Sequence, residues 1–179
     1  ANNRLLKAMK RKGTKEQIRE VIQKIRTVFP DAILRTTSIV GFPSETEAEF
    51  QEVLDFMEEV RFDRLGAFTY SPEEDTEAYA MEDSIDPSIK EERYHRLMRL
   101  QNLIAFERME RWVGQEIEVC VESREPKTML YHGRSLHSAP DDVDGEVIFT
   151  VDMLLKKGTF HQVKVTSVDA YDLYGEIVK

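Results

Sequence analysis

An α/β region followed by an all-β region, the second a small antiparallel barrel, is the fold class this sequence predicts. Three observations carry it: a strand, a helix and a strand in succession over 32–70, a long helix over 86–112, and five short alternating segments after it.

The first helix is expected over 14–29, where Ile18, Val21, Ile22, Ile25, Val28 and Phe29 recur at helical spacing and Thr14 with Gln17 forms a capping box. Pro30 and Asp31 then break the chain. Residues 32–40 (AILRTTSIV) are short and β-branched and are bounded by Gly41 and Pro43, as a buried strand would be. Ser44 with Glu47 matches another capping box, and Phe50, Val53, Leu54, Met57 and Val60 line one face of the helix behind it. A second strand is expected over 65–70 (LGAFTY), so the order predicts a parallel pair. Asp86 as N-cap and Pro87 at the first helical position open the long helix, with Tyr94, Leu97, Met98, Gln101, Ile104 and Met109 near one face.

Strand texture returns over 116–122, 129–135, 145–151, 160–168 and 174–178, and five strands at turn-punctuated intervals predict the small barrel. The boundary between a 1–112 domain and a 113–179 domain is placed at this change of texture. No internal repeat is evident.

Thirty-four acids against 25 Lys and Arg give a net charge of −9, which repels phosphates and attracts a basic protein partner. No run of 18 apolar residues is present, and the first residues lack the apolar stretch of a secretory signal, so the cytoplasm is the expected compartment. A single cysteine, Cys120, leaves no internal disulfide and no cysteine cage, so any cluster must be ligated by residues outside these 179.

Residues 39–50 (IVGFPSETEAEF) place a strand end, a Gly-Pro turn and a helix start in succession, the position where open α/β sheets bind ligands. There Gly41 could let a ligand approach the backbone, and an ordinary βα loop would look the same. Arg35 is a cation within an apolar strand, which calls for a ligand carboxylate, an internal ion pair or an edge position. The four histidines have no metal-ligand spacing, and Cys120 between Val119 and Val121 reads as a sheet residue.

Five ordered segments, LLKAMKRKGT, LRTTSIVGFPSETEAEF, DRLGAFTYSPEEDTEA, YHGRSLHSAPDDVDGEV and DAYDLYG, closely resemble the methylthiotransferase family of radical-SAM enzymes over nearly the whole chain. The resemblance implies that 1–112 is the C-terminal portion of a radical-SAM partial TIM-type barrel and 113–179 a TRAM β-barrel. It implies S-adenosylmethionine as cofactor, with two 4Fe-4S clusters held by cysteines absent from this chain, and hence no chemistry from this part alone. By matching position, Arg35, Ser38, Val40, Gly41, Phe42 and Glu45 would lie at the cofactor end of one strand, and Phe68 and Tyr70 on the next. In that assignment Val40, Phe42 and Phe68 pack the adenine, Arg35 and Ser38 meet the polar end, and Glu45 acts at the helix start. The usual family loop reads Gly-Phe-Pro-Gly-Glu-Thr; Ser44 replaces its second glycine here, and a positive φ there would cost about 1 kcal/mol.

Two branches of the family compete. One (RimO-type) methylthiolates an aspartate of a basic small-subunit ribosomal protein, and the other modifies a tRNA adenosine. Where the tRNA branch carries a basic residue after the YSP segment, this chain has Glu73, Glu74, Asp75 and Thr76. The 113–179 region holds twelve acids and seven Lys or Arg, which suits a basic protein better than phosphates. Asp141, Asp142, Asp144 and Glu146 are the expected substrate-steering residues. Stacking of aromatic side chains keeps the tRNA reading open. A third reading treats the isolated chain as a non-catalytic binding module.

Overall fold

The computed structural model describes residues 1–82, 84–139 and 144–178. Contacts divide the chain into two compact units, Ala1–Ile104 and Ala105–Lys179.

The first unit opens with a short helix, α1 (Asn3–Ala8), which hydropathy spacing alone does not announce. The Thr14–Gln17 capping box forms as expected and starts α2 (Lys15–Val28). Strand β1 (Arg35–Val40) begins three residues later than its sequence pattern, α3 (Glu47–Val60) follows, and β2 (Arg64–Thr69) lies parallel to β1 with Ile39 opposite Phe68. Helix α4 (Pro87–Met109) starts on Asp86, whose Oδ1 accepts from Ser88 N at 2.8 Å. Among the described residues the sheet has two strands, consistent with part of a larger α/β barrel.

The core of this unit is the face of the sheet that meets α3. Val40, Leu65 and Ala67 pack with Phe50, Val53, Phe56, Met57 and Val60, and Leu97 of α4 joins them. Two polar anchors set the register at the amino ends of the strands. Asp63 Oδ2 accepts from Leu34 N at 2.9 Å while Asp63 N donates to Leu34 O at 3.0 Å, and Gln101 Nε2 donates to Phe62 O at 3.1 Å. Both side chains are buried, and the Gln101 Oε1 meets no partner among the described residues. Arg26 of α2 donates to the last carbonyls of α3, at Val60 and Arg61.

The second unit contains a closed barrel in the order β3-β4-β5-β7-β6, built from Glu116–Arg124, Leu130–Ser135, Val147–Thr150, Phe160–Val168 and Leu173–Ile177 in chain order as β3 to β7. Its predicted antiparallel character needs one correction, because β5 and β7 run parallel. An odd ring of strands cannot alternate direction all the way round, so closing five strands forces at least one parallel neighbour. Alternation along each strand fills the interior with Val119, Val121, Tyr131, Val147, Phe149, Val163, Val165 and Leu173, all essentially without solvent. Tyr131 stacks on Phe149 and its hydroxyl donates to Met153 O and accepts from Leu155 N, tying down the chain after β5.

A repeat invisible to simple inspection emerges within this barrel. β3 and β6 each carry a Val-x-Val followed by a bulge, at Val121/Ser123 and Val165/Ser167, and each bulge faces a glycine on the next antiparallel neighbour, Gly133 or Gly175. Bulges tighten the local twist and bring the paired strands close, so a side chain at either glycine has no room. Cys120 sits on β3 between Val119 and Val121, half-buried and facing the opposite way.

No described helix is long and apolar enough to cross a membrane. Among the described residues no group of three or more His, Cys, Asp or Glu gathers as a metal site. His132 pairs with Glu146 at 2.8 Å, His137 lies on Trp112 with ring centres 4.0 Å apart, and His161 meets the Thr159 hydroxyl at 2.8 Å.

Candidate functional site

Parallel strands leave their carboxyl ends open, and there the first unit carries a cavity of about 610 Å³. Its wall follows from strand parity. Val40 faces α3 and is 1% exposed, so Thr37 and Ile39 face the other way, beside Gly66 and Phe68 of β2. Phe68 is 63% exposed. Phe42, just beyond β1, meets Tyr70, just beyond β2, edge to face with ring centres 5.3 Å apart. Ile39, Phe42, Phe68 and Tyr70 together line this cavity, and Arg11 lines it too. The Tyr70 hydroxyl donates to Ala78 O at 3.0 Å and so holds the following segment, a 3-10 turn over Glu77–Ala80, at the rim.

Of the residues expected at the cofactor end, the structure brings together Phe42, Phe68 and Tyr70. It places the others elsewhere, each for a physical reason. Val40 belongs to the core with Phe50 and Val53 and does not reach the cavity. Ser38 shares the parity of Val40 and lines a separate cavity of about 440 Å³ with Leu5, Phe56 and Met57. Arg35 is exposed at the amino end of β1, about 17 Å of extended strand from the carboxyl end.

Gly41 has φ +71°, and the space its missing side chain vacates is filled from within the protein. A Cβ there would lie 2.5 Å from Cγ of Lys90, whose ammonium reaches Tyr70 O at 3.4 Å and sits 5.2 Å from the Tyr70 ring centre. The expected close approach of a ligand to Gly41 is therefore replaced by a close approach of α4. Glu45 is likewise turned inward, with a side chain 1% exposed. Its Oε1 accepts from Gly41 N at 3.0 Å and from Arg93 Nη1 at 2.8 Å. Burial pushes the Glu45 carboxyl up, against the downward pull of the Gly41 amide and the Arg93 guanidinium. Glu45 thus braces the loop through Oε1. Arg93 also reaches Glu47 at 3.4 Å, and Arg93 and Arg96 both lie over the Phe50 ring.

The loop's strain is real. Ser44 has φ +66°, the left-handed conformation a glycine would adopt freely. Arg4 stabilises it by donating to Ser44 Oγ at 3.0 Å and Ser44 O at 2.8 Å while also pairing with Glu49. Because Ser44 is committed to this turn it cannot cap α3, and the capping box belongs instead to Thr46 and Glu49, two residues later than the sequence pattern suggested. Ser44→Gly is expected to raise stability by about 0.5–1 kcal/mol, read as a higher urea midpoint at unchanged slope; a lower midpoint would show that the Arg4–Ser44 hydroxyl bond outweighs the strain.

Hydrogen bonding from Arg4, reinforced by the Thr46 amide and hydroxyl, holds the Glu49 carboxyl down to about 2 from an ordinary value of 4.5. A depressed carboxylate contributes stability that is complete above its unfolded value and is lost as the pH falls through its folded one. Thermal stability is therefore expected to decline between about pH 4.5 and pH 2, and Arg4→Gln to flatten that decline. An unchanged acid limb in the variant would refute the assignment.

In the second unit Asp141 and Asp142 lie outside the described residues. Asp144 is 6% exposed, and its Oδ2 accepts from Ala139 N at 3.0 Å. Glu146 is partly exposed and engaged by His132.

Residues 1–57 match the family model of the radical SAM superfamily, and residues 113–178 match that of the TRAM domain. Among curated relatives, the chain is 50% identical over 180 residues to a protein of Desulforamulus reducens named ribosomal protein uS12 methylthiotransferase RimO, covering 100% of the chain and 40% of the relative. Proteins with the same name from Desulfitobacterium hafniense and Geobacter sulfurreducens are 45% and 43% identical, over 100% and 97% of the chain and 40% and 39% of their own lengths. The chain thus spans about two fifths of the length of these relatives.

Proposed function

The chain belongs to the radical-SAM methylthiotransferases, matching the C-terminal part of RimO-type members, and on that premise we propose that the whole protein methylthiolates an aspartate side chain of a basic small-subunit ribosomal protein in the cytoplasm. The observation that carries this reading is the meeting of Phe42, Phe68 and Tyr70 around one cavity at the carboxyl ends of β1 and β2.

The cavity suits an adenosyl cofactor. About 610 Å³ lies within the range of small-molecule sites, and an exposed phenyl face with a hydroxyl-bearing ring beside it fits a purine. S-adenosylmethionine, with a reduced iron-sulfur cluster, supplies a radical able to take hydrogen from an unactivated carbon. The tasks left to this chain are physical. Phe68 and Ile39 offer the base an apolar wall, and Phe42 and Tyr70 close its end. The Glu45–Arg93 brace keeps the Phe42 loop from moving when water is displaced. Two 4Fe-4S clusters would be held by cysteines outside this chain, so the chain alone is proposed to be inactive.

The barrel from Val113 onward is proposed to dock the substrate. Its excess of acids favours a basic protein and weakens any grip on tRNA. Within the acidic stretch Asp141, Asp142 and Glu146 are proposed contacts, and Asp144, buried, also accepts from Ala139 N. The test is direct: intact, cluster-loaded protein is incubated with S-adenosylmethionine and either the basic ribosomal protein or tRNA, and products are analysed by mass spectrometry. Methylthiolation of the protein's aspartate is expected. Modification of tRNA, or tRNA binding with a steep salt dependence, would reverse the assignment.

A further inference from the structure

Helix α1 stops at a position that a glycine would normally occupy. Lys10 has φ +55°, Lys10 N donates to Lys7 O at 3.0 Å, and Arg11 N donates to Leu6 O at 2.9 Å, the paired bonds of a helix stop with a left-handed residue. A lysine there carries strain that glycine would not, and strain retained beside a cavity points to what it positions. What it positions is Arg11. Its backbone is fixed by the Leu6 bond, and it alone lines all three neighbouring cavities: the aromatic one of about 610 Å³, the one of about 440 Å³ along β1, and a third of about 980 Å³ beside α1.

The other cations near the aromatic cavity are engaged. Arg4 holds Ser44 and Glu49, Lys10 pairs with Glu77 at 3.0 Å, and Lys90 reaches Tyr70 O. The Arg11 side chain is exposed and meets no partner among the described residues. An arginine that lines a cavity can offer its guanidinium as a bidentate receptor for a carboxylate.

We propose that Arg11 is a carboxylate anchor of this site. The inference rests on the function proposed above, in which two carboxylates must enter: the amino-acid carboxylate of S-adenosylmethionine and the aspartate side chain of the substrate. Because Arg11 lines the same cavity as Phe42 and Phe68, an adenosyl group on the rings and a carboxylate on the guanidinium would share one site.

The experiment uses the intact, cluster-loaded protein and its Arg11→Ala and Arg11→Lys variants, with Lys7→Gln as a control. Equilibrium dialysis measures the Kd of S-adenosylmethionine and of 5′-methylthioadenosine, which keeps the adenosyl thioether and lacks the carboxylate. Steady-state assays then measure KM for the protein substrate. If Arg11 holds the cofactor, Arg11→Ala weakens S-adenosylmethionine about tenfold to a hundredfold and leaves 5′-methylthioadenosine unchanged, with partial recovery in Arg11→Lys. If it holds the substrate aspartate, cofactor binding is unchanged and the substrate KM rises by a similar factor. Unchanged values for both carboxylates overturn the inference while leaving the proposed function standing. Failure of the wild-type protein to bind S-adenosylmethionine overturns both.

Discussion

Glu45→Gln is expected to destabilise the first unit by about 3–5 kcal/mol, because it strands the buried Arg93 guanidinium without its closest counter-charge. The change is nearly isosteric, so the loss is electrostatic. A glutamine oxygen can still accept from Gly41 N, which separates the ion pair from the loop hydrogen bond. The loss should appear as a lower midpoint in urea, and in the cluster-loaded protein as weaker S-adenosylmethionine binding, since the Phe42 loop would no longer be braced. Replacing both residues with apolar ones of similar volume should recover much of the stability, as burial of the pair is itself expensive. A destabilisation below about 1 kcal/mol in Glu45→Gln would mean that Glu47, already 3.4 Å from Arg93, compensates.

Gly175→Ala is the second large expected effect, and it falls on the barrel. The added Cβ would lie 2.5 Å from the carbonyl oxygen of Lys164 and 2.6 Å from Cγ1 of Val163, and neither is a flexible chain end that can swing aside. Overpacking of this kind costs about 1–3 kcal/mol, and a clash with backbone in a closed barrel belongs at the upper end. Gly133→Ala should behave alike, because its Cβ meets Cys120 O at 2.5 Å and Val119 Cγ1 at 2.6 Å. Ala at Gly66, where a Cβ meets nothing within 4 Å, is the control and should change stability little. Equal midpoints for Gly175→Ala and Gly66→Ala would contradict the tight pairing at the β6 bulge.

Much of the fold was legible because its signals are local. Thr14 and Gln17 cap α2 through bonds three residues apart, Asp86 caps α4 through Ser88 two residues on with Pro87 between them, and alternation from Ile117 to Val121 marks a barrel strand. Less of the site was legible. Thr36, Ser38 and Val40 on one face of β1 differ little in polarity from Thr37 and Ile39 on the other, so the pattern does not say which face meets α3 and which lines the cavity. Phe42, Phe68 and Tyr70 were named from their matching positions in the family resemblance, and the structure brings them to one cavity, whereas Arg11, which lines it too, follows a six-residue helix too short to announce itself by periodicity. Overlapping cap motifs at Ser44 and Thr46 were equally good locally, and the contacts of Arg4 with Ser44 and Glu49 fit only the later one.

The sequence by itself determined the order and type of the main elements, the change of texture after α4, and the five strands whose odd number requires one parallel pair on closure. Tertiary structure alone decided what the loop after β1 is for. Gly41 is covered by Lys90, and Glu45 is neutralised by Arg93, 48 positions away. No window along the chain contains both partners of such a pair. The reason is physical: helix and strand periodicity depends on neighbours a few residues apart, whereas a buried charge takes its role from whichever group the fold carries to it.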